Sequence, residues 1–193
     1  APSVWRRHQR AHLAKLPTRG HTVENNAVTG GYYGISLSAA RDCVVRGNVL
    51  NTNVRNISVQ NGCTNNRIEN NKCRDSLSSG IHLAYGSSDN RIVGNHIRSS
   101  RAHGEGLLQA YVGSARNQFI DNTVEAIGPA APRYFLYTGV HSDNNQFVAN
   151  RLSGPCSRAY IAVESAFNPK STDPVHYNYQ QGGEGHYATQ GMS

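Results

Sequence analysis

Cysteine pairs, aromatic residues and long apolar runs are all scarce in this chain of 193 residues. No apolar run approaches the ~20 residues of a membrane-spanning helix, so we expect no membrane partner. The four cysteines, Cys43, Cys63, Cys73 and Cys156, form no Cys-x-x-Cys pair and no Cys/His set at zinc spacing. Aromatic residues make up 8% of the chain and are not interleaved with basic ones as in RNA-binding modules, so nucleic acid ranks last among partners.

Acidic residues are also few, with 12 Asp and Glu against 19 Lys and Arg, which gives a net charge of +7. This excess favours a polyanionic partner, such as an acidic polysaccharide. Part of it lies before the first repeat, and we interpret residues 1–20 as a basic N-terminal cap or stub. A helical apolar period is visible only weakly, from Val4 to Leu16, where it predicts a short amphipathic capping helix.

An asparagine recurs in one frame: an apolar residue, two free positions, Asn, one free position and usually another apolar residue. The six copies centre on Asn26, Asn48, Asn71, Asn95, Asn122 and Asn150. A repeat of 22 to 28 residues that tolerates insertions indicates a solenoid. We expect each Asn to sit at a corner in a left-handed backbone conformation, with its amide bonded to the Asn of the next coil.

Each repeat holds a second apolar pair, such as Ile57/Val59 or Ile81/Leu83, in the alternating pattern of a short strand with one buried face. Two or three short strands per repeat without helices predict an all-β, single-stranded right-handed parallel β-helix of about six coils over residues 21–167. Cys73 takes the place of an aliphatic core residue. Cys43 and Cys63 lie at corresponding turns of adjacent repeats, and their pairing stays open. Residues 168–193 form a polar C-terminal tail.

These repeats resemble the right-handed β-helices of the pectate-lyase-like superfamily, and most of all those of mannuronan C5-epimerases, polysaccharide lyases and phage tailspikes. The resemblance covers roughly residues 23–167 and implies action on a polysaccharide. The Tyr-Gly-Phe-Asp-Pro-His segment of the alginate epimerases is absent, since Tyr33-Gly34-Ile35 is followed by Ser-Leu-Ser. The aspartate clusters of pectate lyases and polygalacturonases are absent too. No cofactor is therefore evident, and calcium stays an open alternative without a ligand cluster.

The residue between each apolar pair should point to solvent. In the middle and last coils these outward positions and the longer loops beside them carry polar and aromatic side chains that predict a sugar-binding groove. Lyase or epimerase catalysis needs a base that removes a proton and a nearby arginine that binds the uronate carboxylate. The candidates for the catalytic residues are His82, His103, Tyr111, Tyr137 and His141. For substrate binding they are Gln60, Arg101, Glu105, Gln109, Arg133 and Glu164. No metal ligands are assigned. Glu105 and Glu164 lie about two coils apart, which disfavours a glycosidase.

Two functions follow. The first is a carbohydrate-active or carbohydrate-binding β-helix on an extended anionic polysaccharide, with lyase or C5-epimerase chemistry as the expected activity. The alternative is a non-catalytic tailspike-like or adhesin-like domain, or a part of a larger β-helix protein, and in the tailspike case a homotrimer is expected. Both favour an extracellular or virion-associated location.

Overall fold

The computed structural model describes residues 18–101, 106–139 and 141–164, and the backbone of three short strands at 175–176, 179–181 and 187–190. Within these ranges every regular element is a β-strand. Accordingly, the described residues contain no helix long and apolar enough to cross a membrane. The predicted capping helix from Val4 to Leu16 lies outside the described residues.

Three strands form each coil, and equivalent strands of successive coils pair in parallel to give three sheets of seven strands. A further small sheet pairs β1 (Thr18–Arg19) with β5 (Ala40–Arg41). The first sheet contains β2 (Thr22–Glu24), β6 (Val44–Arg46), β9 (Arg67–Glu69), β12 (Arg91–Val93), β15 (Gln118–Ile120), β18 (Gln146–Val148) and β21 (Val175–His176). The second contains β3 (Ala27–Thr29), β7 (Val49–Asn51), β10 (Lys72–Arg74), β13 (His96–Ser99), β16 (Thr123–Ala126), β19 (Arg151–Ser153) and β22 (Tyr179–Gln181). The third contains β4 (Tyr33–Ser38), β8 (Arg55–Gln60), β11 (Ser79–Ala84), β14 (Gly106–Ala110), β17 (Tyr134–Thr138), β20 (Ala159–Glu164) and β23 (Tyr187–Gln190). The predicted fold, a parallel β-helix of about six coils, is confirmed, and β21 to β23 extend its sheets.

The core consists of columns of like residues that stack from coil to coil. Phe119 and Phe147 stack at 4.9 Å between ring centroids. Cys73 pairs with Leu50 on one side and Ile97 on the other and is fully buried, as predicted for a core residue. All four cysteines are free thiols. In-register stacking lets each apolar side chain cover its neighbour, so a core forms without any helix.

The predicted asparagine ladder runs along the corner between the first and second sheets. Asn71 Nδ2 donates to Asn95 Oδ1 at 2.9 Å, and Asn95 Nδ2 donates to Asn122 Oδ1 at 3.0 Å. The same oxygens also accept the backbone N–H of the preceding coil's asparagine. Each inner rung therefore satisfies a backbone donor at the corner as well as the two side chains.

The left-handed backbone was predicted one residue too late. Asn25, Gly47, Asn70 and Gly94, which directly precede ladder asparagines, have φ between 53° and 64°. The ladder residues themselves are absent from the positive-φ set. The tight turn needs its left-handed residue before the Asn, and the Asn side chain then points inward to the next coil.

A second asparagine ladder, which the sequence reading missed, runs along the corner that enters the first sheet. It joins Asn66, Asn90, Asn117 and Asn145 by Nδ2-to-Oδ1 bonds of 2.8 to 3.1 Å. In the first of these turns Cys43 takes the asparagine position, and its N–H donates to Asn66 Oδ1. Nearby, Cys63 occupies the first position of a column that continues with serines in later coils. Its N–H donates to Ser87 Oγ, the next position in the column, at 3.3 Å. Cys43 and Cys63 thus occupy positions that later coils give to polar residues.

Candidate functional site

The outward row of the third sheet has the predicted register. Ser58 pairs with His82, His82 with Gln109, and Gln109 with Tyr137. Sequence alternation was therefore sufficient to place these side chains on neighbouring strands. The row begins at Ser36, which is exposed, and ends among the described side chains at Ala162, which is buried.

The exposure expected for this row was wrong. The exposed fractions of His82, Gln109 and Tyr137 are 3%, 5% and 3%. Strand alternation fixes the face from which a side chain leaves, but whether that face is covered depends on tertiary packing. The middle coils of the third sheet are thus covered, and among the described side chains of this row only that of the first coil is open.

Tyrosines fill one end of this face. The rings of Tyr134 and Tyr137 stack with centroids 5.3 Å apart, and Tyr111 lies 6.1 Å from Tyr137. The Arg133 guanidinium lies 5.7 Å from the centroid of Tyr134. Gly139 makes room for this cluster, because a Cβ there would overlap the Tyr111 ring. Three predicted site residues, Tyr111, Tyr137 and Arg133, therefore pack together with Tyr134, which was not predicted, and the cluster stabilises this end of the sheet.

A polar cluster occupies the other end. Arg55 and Ser58 on β8 face Ser79 and His82 on β11. Burial, with a smaller effect of the Arg55 charge, lowers the pKa of His82 to about 3, so its imidazole is neutral at physiological pH. Gln109, one strand further on, has a partner within its own strand, since its Oε1 accepts the N–H of Gly106 at the start of β14 at 3.1 Å.

The remaining predicted site residues are scattered. Gln60 is half-buried at the C-terminal end of β8, Arg101 is exposed in the loop after β13, and His141 is exposed in a turn with φ of 54°. His103 and Glu105 lie outside the described residues, as does the side chain of Glu164. Their roles stay predictions.

The outward face of the second sheet, which we call the cationic face, carries an exposed basic cluster. Lys72, Arg74, Arg98 and Arg151 are exposed, and His96 is half-exposed. Lys72 pairs with His96, and Arg74 with Arg98, on adjacent strands. His96 and Arg98 lie on β13 and were not among the predicted site residues. The repeat could have revealed this cluster, because the residues one and three places after each ladder Asn point outward from the second sheet.

One carboxylate lies among these cations. Glu125 Oε2 is 3.1 Å from His96 Nε2 and 3.8 Å from Arg98 Nε. All three side chains are at least 30% exposed, so solvent screens their mutual attraction. The described part of the cationic face therefore keeps a net positive charge.

The first sheet is different, because most charges on it and in the turns that lead into it are paired. Arg46 binds Glu24 at 2.6 Å, Arg67 binds Glu69 at 2.6 Å, and the Arg116 guanidinium binds Asp89 at 2.7 Å. An open groove of about 600 Å³ lies here, and Arg67, Glu69, Asp89 and Arg91 are among its lining residues. Mixed charge gives this groove little preference for an anion over a cation.

The described residues do not fit a metal centre. No three His, Cys, Asp or Glu side chains of these residues come together as ligands. The thiols of Cys43, Cys63 and Cys156 donate to backbone carbonyls, and burial raises the pKa of Cys63, Cys73 and Cys156. A metal needs the thiolate form, which burial disfavours. His82 is neutral, but the Arg55 charge beside it opposes a cation.

Comparison with known proteins gives one family. The family model described as "Periplasmic copper-binding protein (NosD)" matches residues 7–184. No curated protein matches the chain.

Proposed function

Because the chain belongs to the NosD family, a family of parallel β-helix proteins, we propose that it is an exported carbohydrate-binding β-helix that binds an anionic polysaccharide along the cationic face. The observation that supports this proposal is the set of exposed cations, Lys72, Arg74, Arg98 and Arg151, with His96 among them. The family's description as periplasmic supports the exported location. Virion association and a homotrimer stay predictions, and sedimentation of the full chain tests the latter.

The spacing of the cations suits a polymer. Adjacent strands of the second sheet are about 4.8 Å apart, so paired residues repeat at that interval along the axis. This interval is close to the advance of one sugar residue along an extended chain. A uronate polymer laid along the axis therefore presents a carboxylate near successive coils, and arginine binds carboxylates with charge-assisted hydrogen bonds.

Catalysis of the lyase or epimerase type is the finer part of the proposal. On the cationic face His96 supplies a base, Glu125 orients it, and Arg98 is placed to bind a uronate carboxylate. Absorbance at 232 nm detects the unsaturated ends that a lyase makes, and proton NMR of the polymer detects epimerisation. Loss of either signal in His96→Gln would support this assignment, and its persistence would refer catalysis back to the residues predicted from the sequence.

Charge reversal tests the binding proposal. The double variant Lys72→Glu/Arg74→Glu should weaken binding to polygalacturonate by about tenfold or more, because it converts two cations of the face into anions. The matched control is Arg67→Glu/Arg91→Glu, which makes the same charge change on the first sheet. Affinity electrophoresis in polygalacturonate and in neutral dextran measures both. The proposal would be contradicted if both variants lost polygalacturonate binding to the same extent. It would also be contradicted if neutral dextran slowed the native chain as much as polygalacturonate does.

Copper binding, which the family description names, is not proposed for the described coils, because their cysteines and histidines do not fit a copper site. A competition titration of the full chain with a copper(I) chelator tests this. If copper binds, variants of Cys43, Cys63 and Cys73 should leave its affinity unchanged.

A further inference from the structure

Four side chains on the third sheet form what we call the polar patch: Arg55, Ser58, Ser79 and His82. Arg55 pairs with Ser79 and Ser58 pairs with His82, so the four occupy neighbouring positions on two adjacent strands. Their two rows continue to Tyr134 and Tyr137, whose rings stack. Both rows therefore leave from the same outward face of the sheet.

The patch concentrates unpaired polar atoms. Among the described residues, six buried side-chain polar atoms have no hydrogen-bond partner, and four of them are Arg55 Nε, Ser58 Oγ, Ser79 Oγ and His82 Nδ1. Ser58 and Ser79 are fully buried, and the exposed fraction of His82 is 3%. Elsewhere the asparagine ladders pair their buried amides. Unpaired groups so closely grouped are typical of a binding site for a polar ligand rather than of scattered packing defects.

The chemistry of the four groups selects an oxyanion. The guanidinium N–H, both hydroxyls and an imidazole N–H can all donate at once, so the complementary ligand is rich in acceptors. The positive charge of Arg55 favours an anion and opposes a metal cation. A carboxylate offers two oxygens with about four acceptor sites, enough for all four donors. Burial strengthens these bonds, because the surrounding dielectric constant is low.

The polar patch is itself largely buried, but it borders the first coil, where the corresponding positions are accessible. Ser36, which pairs with Ser58, is exposed, and Tyr33, which pairs with Arg55, is half-buried. The neighbouring Tyr32 is 63% exposed, with its ring 4.7 Å from that of Tyr33. A ligand that reaches the patch from the first coil meets these two tyrosines, whose rings provide aromatic surface of the kind that packs against sugar rings.

We propose that the polar patch binds the carboxylate of a uronic acid, whose sugar ring lies toward Tyr33. The inference rests on the proposed function only for the choice of a uronic acid as the carrier of the carboxylate. The site lies on a different sheet from the cationic face. It takes a single sugar unit, whereas the cationic face binds the length of a polymer.

NMR of the full chain labelled with ¹⁵N-histidine tests the proposal. His82 signals are assigned by their loss in His82→Gln. Sodium galacturonate should shift them saturably, and the neutral sugar galactose should not. Sodium acetate should shift them with weaker affinity. Saturation by galactose, equal affinity for acetate, or no saturable shift with galacturonate would overturn the assignment.

Arg55→Gln should weaken galacturonate binding at least tenfold, because it removes the charged donor. Arg67→Gln on the first sheet is the matched control and should change nothing. Ser58→Ala, which alters one buried hydroxyl only, should weaken binding severalfold and guards against a folding defect in Arg55→Gln, as checked by circular dichroism. Unchanged affinity in both patch variants would overturn the proposal.

The same experiment separates the two proposals. Lys72→Glu/Arg74→Glu should lose polygalacturonate binding while it keeps the galacturonate shift of His82. If the native chain shows the galacturonate shift of His82 but does not bind polygalacturonate, the proposal for the cationic face is rejected and that for the polar patch stands. If the native chain binds polygalacturonate but shows no galacturonate shift of His82, the proposal for the polar patch is rejected and that for the cationic face stands.

Discussion

The Nε2 atom of His96 lies 3.1 Å from Oε2 of Glu125, across two adjacent strands of the second sheet. Glu125 also lies 3.8 Å from Arg98 Nε, so this single carboxylate offsets part of the Arg98 charge while it contacts His96. It is the only acid among the described outward residues of that sheet's first six strands. The electrostatics of the cationic face therefore depend strongly on one side chain.

Glu125→Gln should tighten binding to polygalacturonate by about threefold to tenfold at low salt, because it removes an anion from a surface that attracts anions. The gain should shrink as ionic strength rises and screening shortens the range of the field. Affinity electrophoresis at two salt concentrations measures both effects. Glu69→Gln on the first sheet is the control, and a gain of equal size there would contradict a role for the cationic face.

Asn71→Ala should lower the free energy of unfolding by about 3 kcal/mol, because it leaves buried donors and acceptors unpaired. Asn71 Nδ2 donates to Val45 O and to Asn95 Oδ1, and its Oδ1 accepts from the N–H and Nδ2 of Asn48. Thermal unfolding followed by circular dichroism measures the loss. Gln146→Ala is the control: it removes an exposed amide on β18 whose Oε1 accepts from Gln118 Nε2 at 3.3 Å, and it should cost less than about 0.5 kcal/mol.

His82 should make stability depend on pH. Its pKa of about 3 in the folded chain is below the ordinary value of 6.5, so the unfolded chain binds the extra proton between these values. Stability should therefore be fully present above about pH 6.5 and fall as pH drops toward 3, by up to about 1.4 kcal/mol per pH unit. Urea unfolding between pH 4 and 7 measures the slope. His82→Gln should flatten it, and an unchanged slope would show that the imidazole is not held neutral.

Cys156 should be the only one of the four thiols that reacts quickly with Ellman's reagent in the native chain. Cys156 is half-buried, whereas Cys43, Cys63 and Cys73 are buried. Burial, opposed by backbone hydrogen bonds, raises the pKa of Cys156, so even this reaction should be slower than for an exposed thiol. Cys156→Ser should abolish the fast phase. The denatured native sequence should titrate four thiols, and a count of two would reveal a disulfide.

The fold was predictable because one residue type marks a backbone geometry that repeats. The frame around Asn48, Asn71 and Asn95 predicted stacked coils and a side-chain ladder, both of which the structure shows. The second ladder was missed because its first position is Cys43 rather than Asn, which breaks the pattern at the start. The left-handed residue was misplaced by one, since Gly47 and Asn70 share a backbone conformation but not a side chain.

The candidate sites were less predictable than the fold. Alternation placed His82, Gln109 and Tyr137 on one face, because strand pairing follows from the same repeat. Their burial depends on what lies over the sheet, which has no periodic signal. The pairing of His96 with Glu125 joins residues 29 positions apart, and it became visible only when the second sheet was in register.

The two ladders also bear on how the rod resists force. Each inner asparagine bonds both neighbours along the axis, so a pull along the axis loads both ladders and three sheets at once. A sideways pull at one end loads a single coil, whose rungs break before the next coil is strained. We expect the molecule to withstand axial tension and to peel one coil at a time from its ends, as a stack with nearest-neighbour contacts must.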